Sequence, residues 1–541
     1  MADPLEQNLI RIWNQLITER RLKLRSSLSE YAALTSGVLT YGSLLSGTLI
    51  EGIALPAILQ MVQKKTAVHL EPRLAFACEN VAWKRALLQD DERGIKVPVF
   101  TCVHEMARSP ECATDCDGKT WNIPRVGLLV FAIECDSISG LASGWSLRLR
   151  CVDDAARSGT DSRTGSTAVS CMQIVEFLRP PFFIAECVKN LTAKDQSTGK
   201  SAFQAIIEMA VDAGYTCESY QLDAKEYGVP QSRTRSFLFG AWVGKNKALA
   251  IFEASKTAAG QHQQAFEAML EELKISPLSL HEYLDHSVRP REEATVQSST
   301  AAPTQAAKRR KQAHVEKPVK QSVFAYEEKH LEVYTQMQLQ WPPHFTEEFE
   351  VKTVSIAGSR RMQEVLYLEE HRLGPARSMT SYGARDLHMT EEWGVMRHAH
   401  LPCIVGSSVI WVRGTLQTGQ VIDRRLHGTE ALAVQGLGHK SQTAKVKALS
   451  YEQTLDLAGN MFVAEVFSVV FLTAFATIDV SNIHRAVQTS RLHVDDASHR
   501  SQSQDDGESM ESESAESDEE EEPDAKTEID DLDIDDLNFD N

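Results

Sequence analysis

An apolar run that ends in a carboxyl group and a thiol lies at residues 182–190, FFIAECVKN. Phe182 to Ala185 have the length of a buried β-strand, and Glu186 and Cys187 follow directly. A helical pattern comes next along the chain, at Phe203 to Ala213. Short apolar strands that alternate with helices are typical of a parallel sheet covered on both faces. The segment therefore predicts a strand that carries Glu186 to the ligand-binding edge of an α/β sheet.

The same alternation extends outward from this segment. The strand-like runs are Val38 to Leu45, Leu74 to Ala77, Val126 to Ile133 and Ser236 to Trp242, and the helix-like runs are Leu49 to Gln60 and Val81 to Gln89. This order predicts a doubly wound, Rossmann-like α/β sheet within residues 38–243. Such a sheet binds its ligands at the carboxyl ends of the strands.

Composition divides the rest of the chain. Apolar residues at three- and four-residue spacing predict an amphipathic N-terminal helix in residues 1–37. Residues 244–412 form a second region, and within it residues 287–321 are rich in Ser, Thr, Ala, Pro and charge, which predicts a disordered linker. Apolar periodicity returns beyond it, so we expect residues 413–484 to complete the sheet domain.

The net charge of −19 belongs almost entirely to the end of the chain. Residues 501–541 hold 19 Asp and Glu and one Lys, a net of −18, which leaves −1 for the first 500 residues. We therefore expect residues 485–541 to be a disordered acidic tail. Such a tail can simply keep the chain soluble, dock on basic chromatin proteins, or cover a nucleic-acid-binding cleft.

Other features of the sequence bear on the compartment. Neither a secretory signal nor a long uninterrupted apolar run is found, and the ten cysteines are mostly scattered, so we expect a soluble intracellular protein without a membrane partner. Cys112 and Cys116 are a close pair without the further ligands that zinc needs, and no metal is expected. The basic run Lys308 to Lys311 fits a nuclear localisation signal, a phosphate-binding patch or a solvated charge run. We predict a nuclear protein.

Three segments at strand ends carry reactive side chains. ECDSISG at 134–140 follows one strand, Glu186 ends a second, and GVPQSRTR at 228–235 enters a third. Each alone is a weak signal, because a lone cysteine at a strand end is commonly a small buried residue and an Arg-x-Arg pair is commonly solvated. Together and in this order they resemble the DNA cytosine-C5 methyltransferase family.

The resemblance extends over residues 38–476, apart from the linker and most of 244–400. RPPFFIAECVKN at 179–190 is similar to the family's Glu-Asn-Val motif, and LDAKEYGVPQSRTR at 222–235 to its Gln-x-Arg-x-Arg motif. Residues 130–140 occupy the place of the Pro-Cys-Gln loop, while 424–436 and 458–461 resemble the last two motifs. The altered loop and the total length also resemble a fungal branch associated with silencing of repeated DNA.

The family resemblance implies an S-adenosylmethionine-dependent enzyme that methylates cytosine C5 in DNA after flipping the base out of the duplex. Cys135 would be the thiolate that adds to C6, and Glu186 would hydrogen-bond N3 and the exocyclic amine. Arg233 and Arg235 would favour the ionised thiol. The remaining implied contacts are Gln231 and Ser137 for the substrate and Ser46, Gly47, Glu79 and Asn460 for the cofactor. Residues 376–385 and 400–413, in a smaller target-recognition domain, would supply phosphate and base contacts.

Several positions depart from the family's pattern. Leu49 and Ile50 stand where glycine is expected, and Cys102 stands where an acidic residue would meet the adenine amine, with Asp115 or Asp117 as candidates to replace it. Around the nucleophile, Glu134 and Asp136 replace Pro and Gln, and Cys187 replaces the Asn after the catalytic Glu. Two carboxylates beside Cys135 would raise the pKa of its thiol.

These departures leave three alternatives open. One is a catalytically weak or inactive paralogue that keeps the fold as a regulatory or DNA-binding protein. Another is a tRNA cytosine-5 methyltransferase, since that branch shares the core motifs. The third is a thiol enzyme of unrelated chemistry, although none of the three motif segments contains a histidine to act as its base.

Overall fold

The structure is a computed structural model. It describes residues 3–45, 47, 50–89, 97–133, 163–194, 199–257, 261–285, 325–353, 360–373, 383–387, 397–398, 400–415, 421–480 and 482–487. The predicted linker with Lys308 to Lys311 and nearly all of the acidic tail lie outside these residues. Val487 is described and buried, so packed structure continues past the predicted tail boundary at 485.

The strands of the described residues form three sheets. In chain order they are β1 (Val38–Leu44), β2 (Glu71–Cys78), β3 (Val99–Phe100), β4 (Ala113–Thr114), β5 (Thr120–Trp121), β6 (Leu128–Ala132), β7 (Phe182–Val188), β8 (Tyr215–Asp223), β9 (Thr234–Trp242), β10 (Gly383–Asp386), β11 (Arg397–His398), β12 (Ile410–Thr415) and β13 (Val421–Arg425). The α-helices are α1 (Pro4–Gln15), α2 (Thr18–Leu34), α3 (Glu51–Thr66), α4 (Ala82–Leu88), α5 (Val103–Arg108), α6 (Arg163–Leu178), α7 (Ala202–Asp212), α8 (Lys245–Thr257), α9 (Gln261–Glu272), α10 (Ala325–Gln336), α11 (Glu347–Lys352), α12 (Arg360–Leu373), α13 (Gly428–Val434), α14 (Ala444–Lys447), α15 (Tyr451–Asn460) and α16 (Ala464–Thr477).

The main sheet has seven strands in the order β3-β2-β1-β6-β7-β9-β8. The first five are mutually parallel, while β9 runs antiparallel to both β7 and β8. The chain moves outward from β1 to β3 and then returns to β6 on the other side of β1. This reversal creates a crevice between the ends of β1 and β6, where open α/β sheets bind ligands. The doubly wound fold is confirmed, with β9 running against its neighbours, so that β8 at the edge has the same direction as β7.

Alternate side chains of the central strands pack in two separate hydrophobic cores, one on each face of the sheet. Phe182 and Ile184 pack in a core with α1, α2, α3, α9 and α16, whereas Phe183 and Ala185 pack in a core with α5, α6 and α7. Successive side chains of a strand point to opposite faces, so a continuous apolar run serves both layers. The far end of the chain returns to the sheet, because every residue of α16 is buried. The stretch Tyr451–Thr477 has the length and composition of a membrane span, but 94% of its apolar 18-residue window is buried inside the protein, as in a core helix.

The N-terminal region differs from the prediction. Residues 1–37 contain two helices, α1 and α2, instead of one, and the extended backbone at Ile17 separates them. Helix α1 begins where the Asp3 carboxylate accepts the Leu5 N–H and Pro4 occupies the first turn.

A smaller antiparallel sheet has the order β11-β10-β12-β13. Its core joins Phe349, Val365 and Leu366 to Leu387, Val409 and Trp411. Because Trp411 of β12 pairs with Arg425 of β13, this sheet extends beyond the predicted boundary at residue 412.

Candidate active site

A cavity of about 290 Å³ opens at the carboxyl ends of β1, β2, β6 and β7. It brings together six of the residues named from the sequence, which are Gly47, Glu79, Glu186, Arg233, Arg235 and Asn460. Ile133, two residues before Cys135, also lines it. Cys135 itself, Ser137, Ser46, Leu49, Glu134 and Asp136 lie outside the described residues.

One half of the cavity is built around Glu79, which directly follows β2 and is 4% exposed. Its Oε1 accepts the Val81 N–H at 2.8 Å. Burial raises the pKa of Glu79, and the Val81 N–H and the nearby ammonium of Lys84 oppose that rise. Gly47 is close by with φ of +64°, and a side chain there would begin 4.0 Å from Glu79 Oε2. The loop after β1 and the acid after β2 thus face each other, as a nucleotide-binding half requires.

The end of α15 forms the opposite wall of this half. Asn460 Nδ2 donates to the backbone oxygen and to Oδ1 of Asp456, both at 2.9 Å. Asp456 Oδ2 also lies 2.8 Å from Lys84 Nζ, on α4.

The other half of the cavity contains Glu186, on β7, which is 7% exposed. Arg235 Nε lies 3.1 Å from Glu186 Oε1, although its N–H is not aligned for a hydrogen bond, and that oxygen accepts none from the described residues. Burial raises the pKa of Glu186, and the charges of Arg235 and Arg233 offset part of the rise. Glu186 is therefore a carboxyl group that lines the cavity and retains a proton more readily than an exposed one.

Strand register explains why these charges meet. Glu186 pairs with Phe237 across β7 and β9, so Arg235 lies one diagonal step away on the same face. This face carries Phe182 and Ile184 farther down β7.

Arg233 has a different environment from Arg235. It is 3% exposed, and its guanidinium donates to the backbone oxygens of Ile404 (2.8 Å), Gly459 (2.9 Å) and Met461 (2.8 Å). These carbonyls belong to the segment before β12, to the last turn of α15 and to the residue that follows it. Arg233 therefore ties two distant segments to β9, whereas the sequence had suggested equivalent roles for the two arginines.

Gln231 is fully buried, and its Oε1 accepts the Gln435 Nε2–H at 3.1 Å. It does not line the cavity among the described residues. Its backbone pairs with Leu401, which fixes the 228–235 segment against the chain that leads to β12. The structure thus places Gln231 as a link between segments, and its contact with the substrate stays a prediction.

The two proposed replacements for the missing adenine contact do not reach the cavity either. Asp115 Oδ1 accepts the N–H groups of Asp117 and Lys119, and Oδ2 accepts the Trp121 indole at 2.6 Å. Burial opposes ionisation, but these hydrogen bonds lower the pKa of Asp115. Asp115 thus stabilises the β4–β5 turn. Cys102 precedes α5. Cys187, in the place of the family's Asn, is buried with its thiol 3.7 Å from the Ile133 carbonyl oxygen.

Two arginines that were expected to contact phosphate are buried beside acidic side chains in the smaller sheet. Arg385, on β10, is 1% exposed and pairs with Glu369. Arg413, on β12, is buried between Glu370 and Asp423. Both guanidiniums stabilise the packing of α12 on this sheet.

Sequence reasoning missed Lys84 and Asp456. A usable signal existed for Lys84, since it lies on the same helical face as Leu87 and Leu88, and a charge on an apolar face is unusual. Asp456 carried no such signal. Among the described residues, no group of three or more His, Cys, Asp or Glu is placed to hold a metal ion.

The sequence pattern of the C-5 cytosine-specific DNA methylases matches residues 114–461, more than half of the chain. The chain belongs to this family. Type II methyltransferase M.MthTI of Methanothermobacter thermautotrophicus is 35% identical over 82 residues, which are 15% of this chain and 24% of that protein. Type II methyltransferase M.NmeDI of Neisseria meningitidis serogroup C is 37% identical over 84 residues, 15% of this chain and 19% of that protein. The chain therefore spans about a quarter or less of the length of these two relatives.

Solved structures give a looser likeness. A mutant DNMT2 of Spodoptera frugiperda has a TM-score of 0.38 and 11% identity, covering 80% of this chain and 99% of that one. The Dnmt2 methyltransferase of S. pombe has a TM-score of 0.37 and 11% identity, and the match covers 80% of this chain and 97% of that one.

S-adenosylmethionine is the cofactor of this family, and the cavity fits it. A buried carboxylate after β2 suits the two ribose hydroxyls, which donate hydrogen bonds. Gly47 leaves room beside that carboxylate. Glu79, Gly47 and Asn460 would thus hold the cofactor, and the Glu186 half of the cavity remains for the base.

Proposed function

We propose that this protein methylates cytosine at C5 in DNA, with S-adenosylmethionine as methyl donor. The observation that carries the proposal is the meeting of Glu186 and Arg235 in the same cavity as Glu79 and Asn460. A fold retained only as a scaffold needs no buried carboxyl group paired with an arginine beside a cofactor pocket. The family to which the chain belongs supports the reaction class.

In the proposed reaction, each residue has a separate task. The Cys135 thiolate adds to C6 of a flipped cytosine, and the electron pair of the C5–C6 bond becomes nucleophilic at C5. The bound cofactor supplies an electrophilic methyl group. Glu186, whose pKa is raised by burial, shares a proton with N3 and offsets the charge that develops on the ring. Loss of the C5 proton to a base and departure of the thiolate from C6 restore the aromatic ring.

Arg235 holds Glu186 and contributes positive charge to the site. Its Nε is 3.1 Å from the carboxylate, and a cation here also favours the thiolate form of a nearby cysteine. This charge counters the two carboxylates that flank Cys135 in the sequence.

For the substrate and compartment, the proposal is DNA in the nucleus. The family description and the relatives support DNA, and the basic run Lys308 to Lys311 supports nuclear import. Docking of the acidic tail on chromatin proteins is part of the same proposal and rests on its composition alone.

A trapping experiment tests the proposal. DNA that contains 5-fluorocytosine cannot lose its C5 substituent as a proton, so the adduct with the enzyme should persist when the cofactor is present. We expect a denaturant-resistant protein–DNA complex with wild type and with the exposed-thiol control Cys112→Ala, and none with Cys135→Ala. Trapping on fluorinated tRNA alone would replace DNA with tRNA, and no complex on either would overturn the proposed chemistry.

A further inference from the structure

An ion pair closes the cofactor half of the cavity. Lys84 Nζ, on α4, lies 2.8 Å from Asp456 Oδ2, on α15. The Lys84 side chain is 7% exposed and that of Asp456 is 41% exposed, so the pair reaches from the interior to the rim. Both residues line the cavity, together with Glu79 and Asn460.

Packing alone does not account for this lysine. Its neighbours on the buried face of α4 are Leu87 and Leu88, and an apolar side chain of similar length would fill the same space. Taking an ammonium group out of water costs free energy, which a single partner at the cavity rim only partly returns. The charge itself therefore has a use at this position.

The pair acts on both walls of the cofactor half. On α15, Asp456 is shared, because its Oδ2 meets Lys84 while its Oδ1 accepts the Asn460 amide at 2.9 Å. Lys84 thus fixes the carboxylate that orients Asn460. Directly after β2, the Lys84 ammonium lowers the pKa of Glu79 and favours its ionised form, which accepts hydrogen bonds from hydroxyl groups, while the Asp456 carboxylate acts in the opposite direction.

We propose that Lys84 is a cofactor-positioning residue, which acts through Asp456 to hold Asn460 and the α15 wall at the distance from Glu79 that the cofactor requires. This inference rests on the proposed function. It adds two residues to the cofactor half that the sequence motifs do not include.

Calorimetric binding of S-adenosylhomocysteine to the full chain tests the pair. Lys84→Met and Asp456→Asn should each weaken binding about tenfold or more, since each removes one member of a close charge pair. The double variant should lose little beyond either single change, and Lys84→Arg should recover part of the affinity. Lys64→Met is the matched control, because Lys64 forms an exposed pair with Glu6 away from this cavity.

Kinetics separate positioning from general damage. In methyl-transfer assays KM for the cofactor should rise about tenfold in Lys84→Met while kcat and DNA affinity change less than about threefold. Should Lys84→Met fail to fold, Asp456→Asn, at a half-exposed position, still decides the question.

The outcomes distinguish the two proposals. Failure of wild type to bind S-adenosylhomocysteine would overturn the proposed function. Binding by wild type with affinity within twofold in Asp456→Asn and in folded Lys84→Met would overturn the positioning role and leave the proposed function standing.

Discussion

Replacing Arg233 by methionine should destabilise the fold far more than the same change at Arg235. Arg233 donates to three backbone oxygens and is 3% exposed, so its loss leaves buried carbonyls of Ile404, Gly459 and Met461 without that donor. A buried group that loses its partner costs roughly 1–3 kcal/mol, and three that share one donor should cost about 3–5 kcal/mol in unfolding free energy. Arg235 donates to the Thr234 backbone oxygen and pairs with Glu186. Burial raises the pKa of Glu186, so this carboxyl group can take up a proton when Arg235 is lost, and we expect a smaller cost of about 1–2 kcal/mol.

Urea unfolding followed by circular dichroism measures both variants against wild type. Arg233→Met should lower the urea midpoint of unfolding more than Arg235→Met does, whereas Arg235→Met should transfer methyl groups about 10²–10³-fold more slowly than wild type. Equal unfolding midpoints for wild type and Arg233→Met, or greater instability of Arg235→Met, would refute the separate roles.

Three further predictions concern carboxyl groups. Burial raises the pKa of Glu465 from 4.5 to about 7. Between these two pH values Glu465 stays protonated in the folded protein but ionises in the unfolded chain. The free energy of unfolding is therefore highest below pH 4.5 and falls as the pH rises through 7. Glu465→Gln should thus exceed wild type by about 3 kcal/mol at pH 8 but not at pH 4.5, and a pH-independent difference in urea midpoints would contradict this. Glu79→Gln should weaken S-adenosylhomocysteine binding about tenfold in calorimetry, while Asp115→Asn should leave it unchanged. Weaker binding by Asp115→Asn with unchanged binding by Glu79→Gln would restore Asp115 as the adenine contact. Arg235→Met removes a charge that lowers the pKa of Glu186, so the basic limb of the pH profile of kcat/KM should move to higher pH; a shift to lower pH would show that Arg235 acts otherwise.

The central strands were predictable because their residues are buried on both faces. Phe182 to Ala185 form a continuous apolar run, since alternate side chains enter two different cores. Strand β8 escaped prediction because it lies at the sheet edge, and its residues Tyr215–Asp223 are mostly polar and partly exposed. Because β8 was not predicted, the antiparallel pairing that reverses the direction of β9 could not be predicted either.

The site was predictable only where local sequence carried it. Glu79 and Glu186 end apolar strands, and that position alone places them at the ligand-binding edge. Arg233 and Arg235 are two residues apart in the sequence, so an alternating pattern could not distinguish them. Their difference arises from Ile404 and Met461, which are 171 and 228 residues from Arg233 along the chain. Such contacts depend on tertiary packing, for which the motif itself holds no signal.

The central claim is methyl transfer to cytosine C5, and the most direct test is transfer of labelled methyl from S-adenosylmethionine to unmethylated DNA, hemimethylated DNA and tRNA. We expect labelled 5-methylcytosine in DNA with wild type and its loss with Cys135→Ala and Glu186→Gln. Absence of transfer to every substrate, from a folded protein that binds S-adenosylhomocysteine, would contradict the claim and identify the chain as a member of the family that retains its fold without its chemistry.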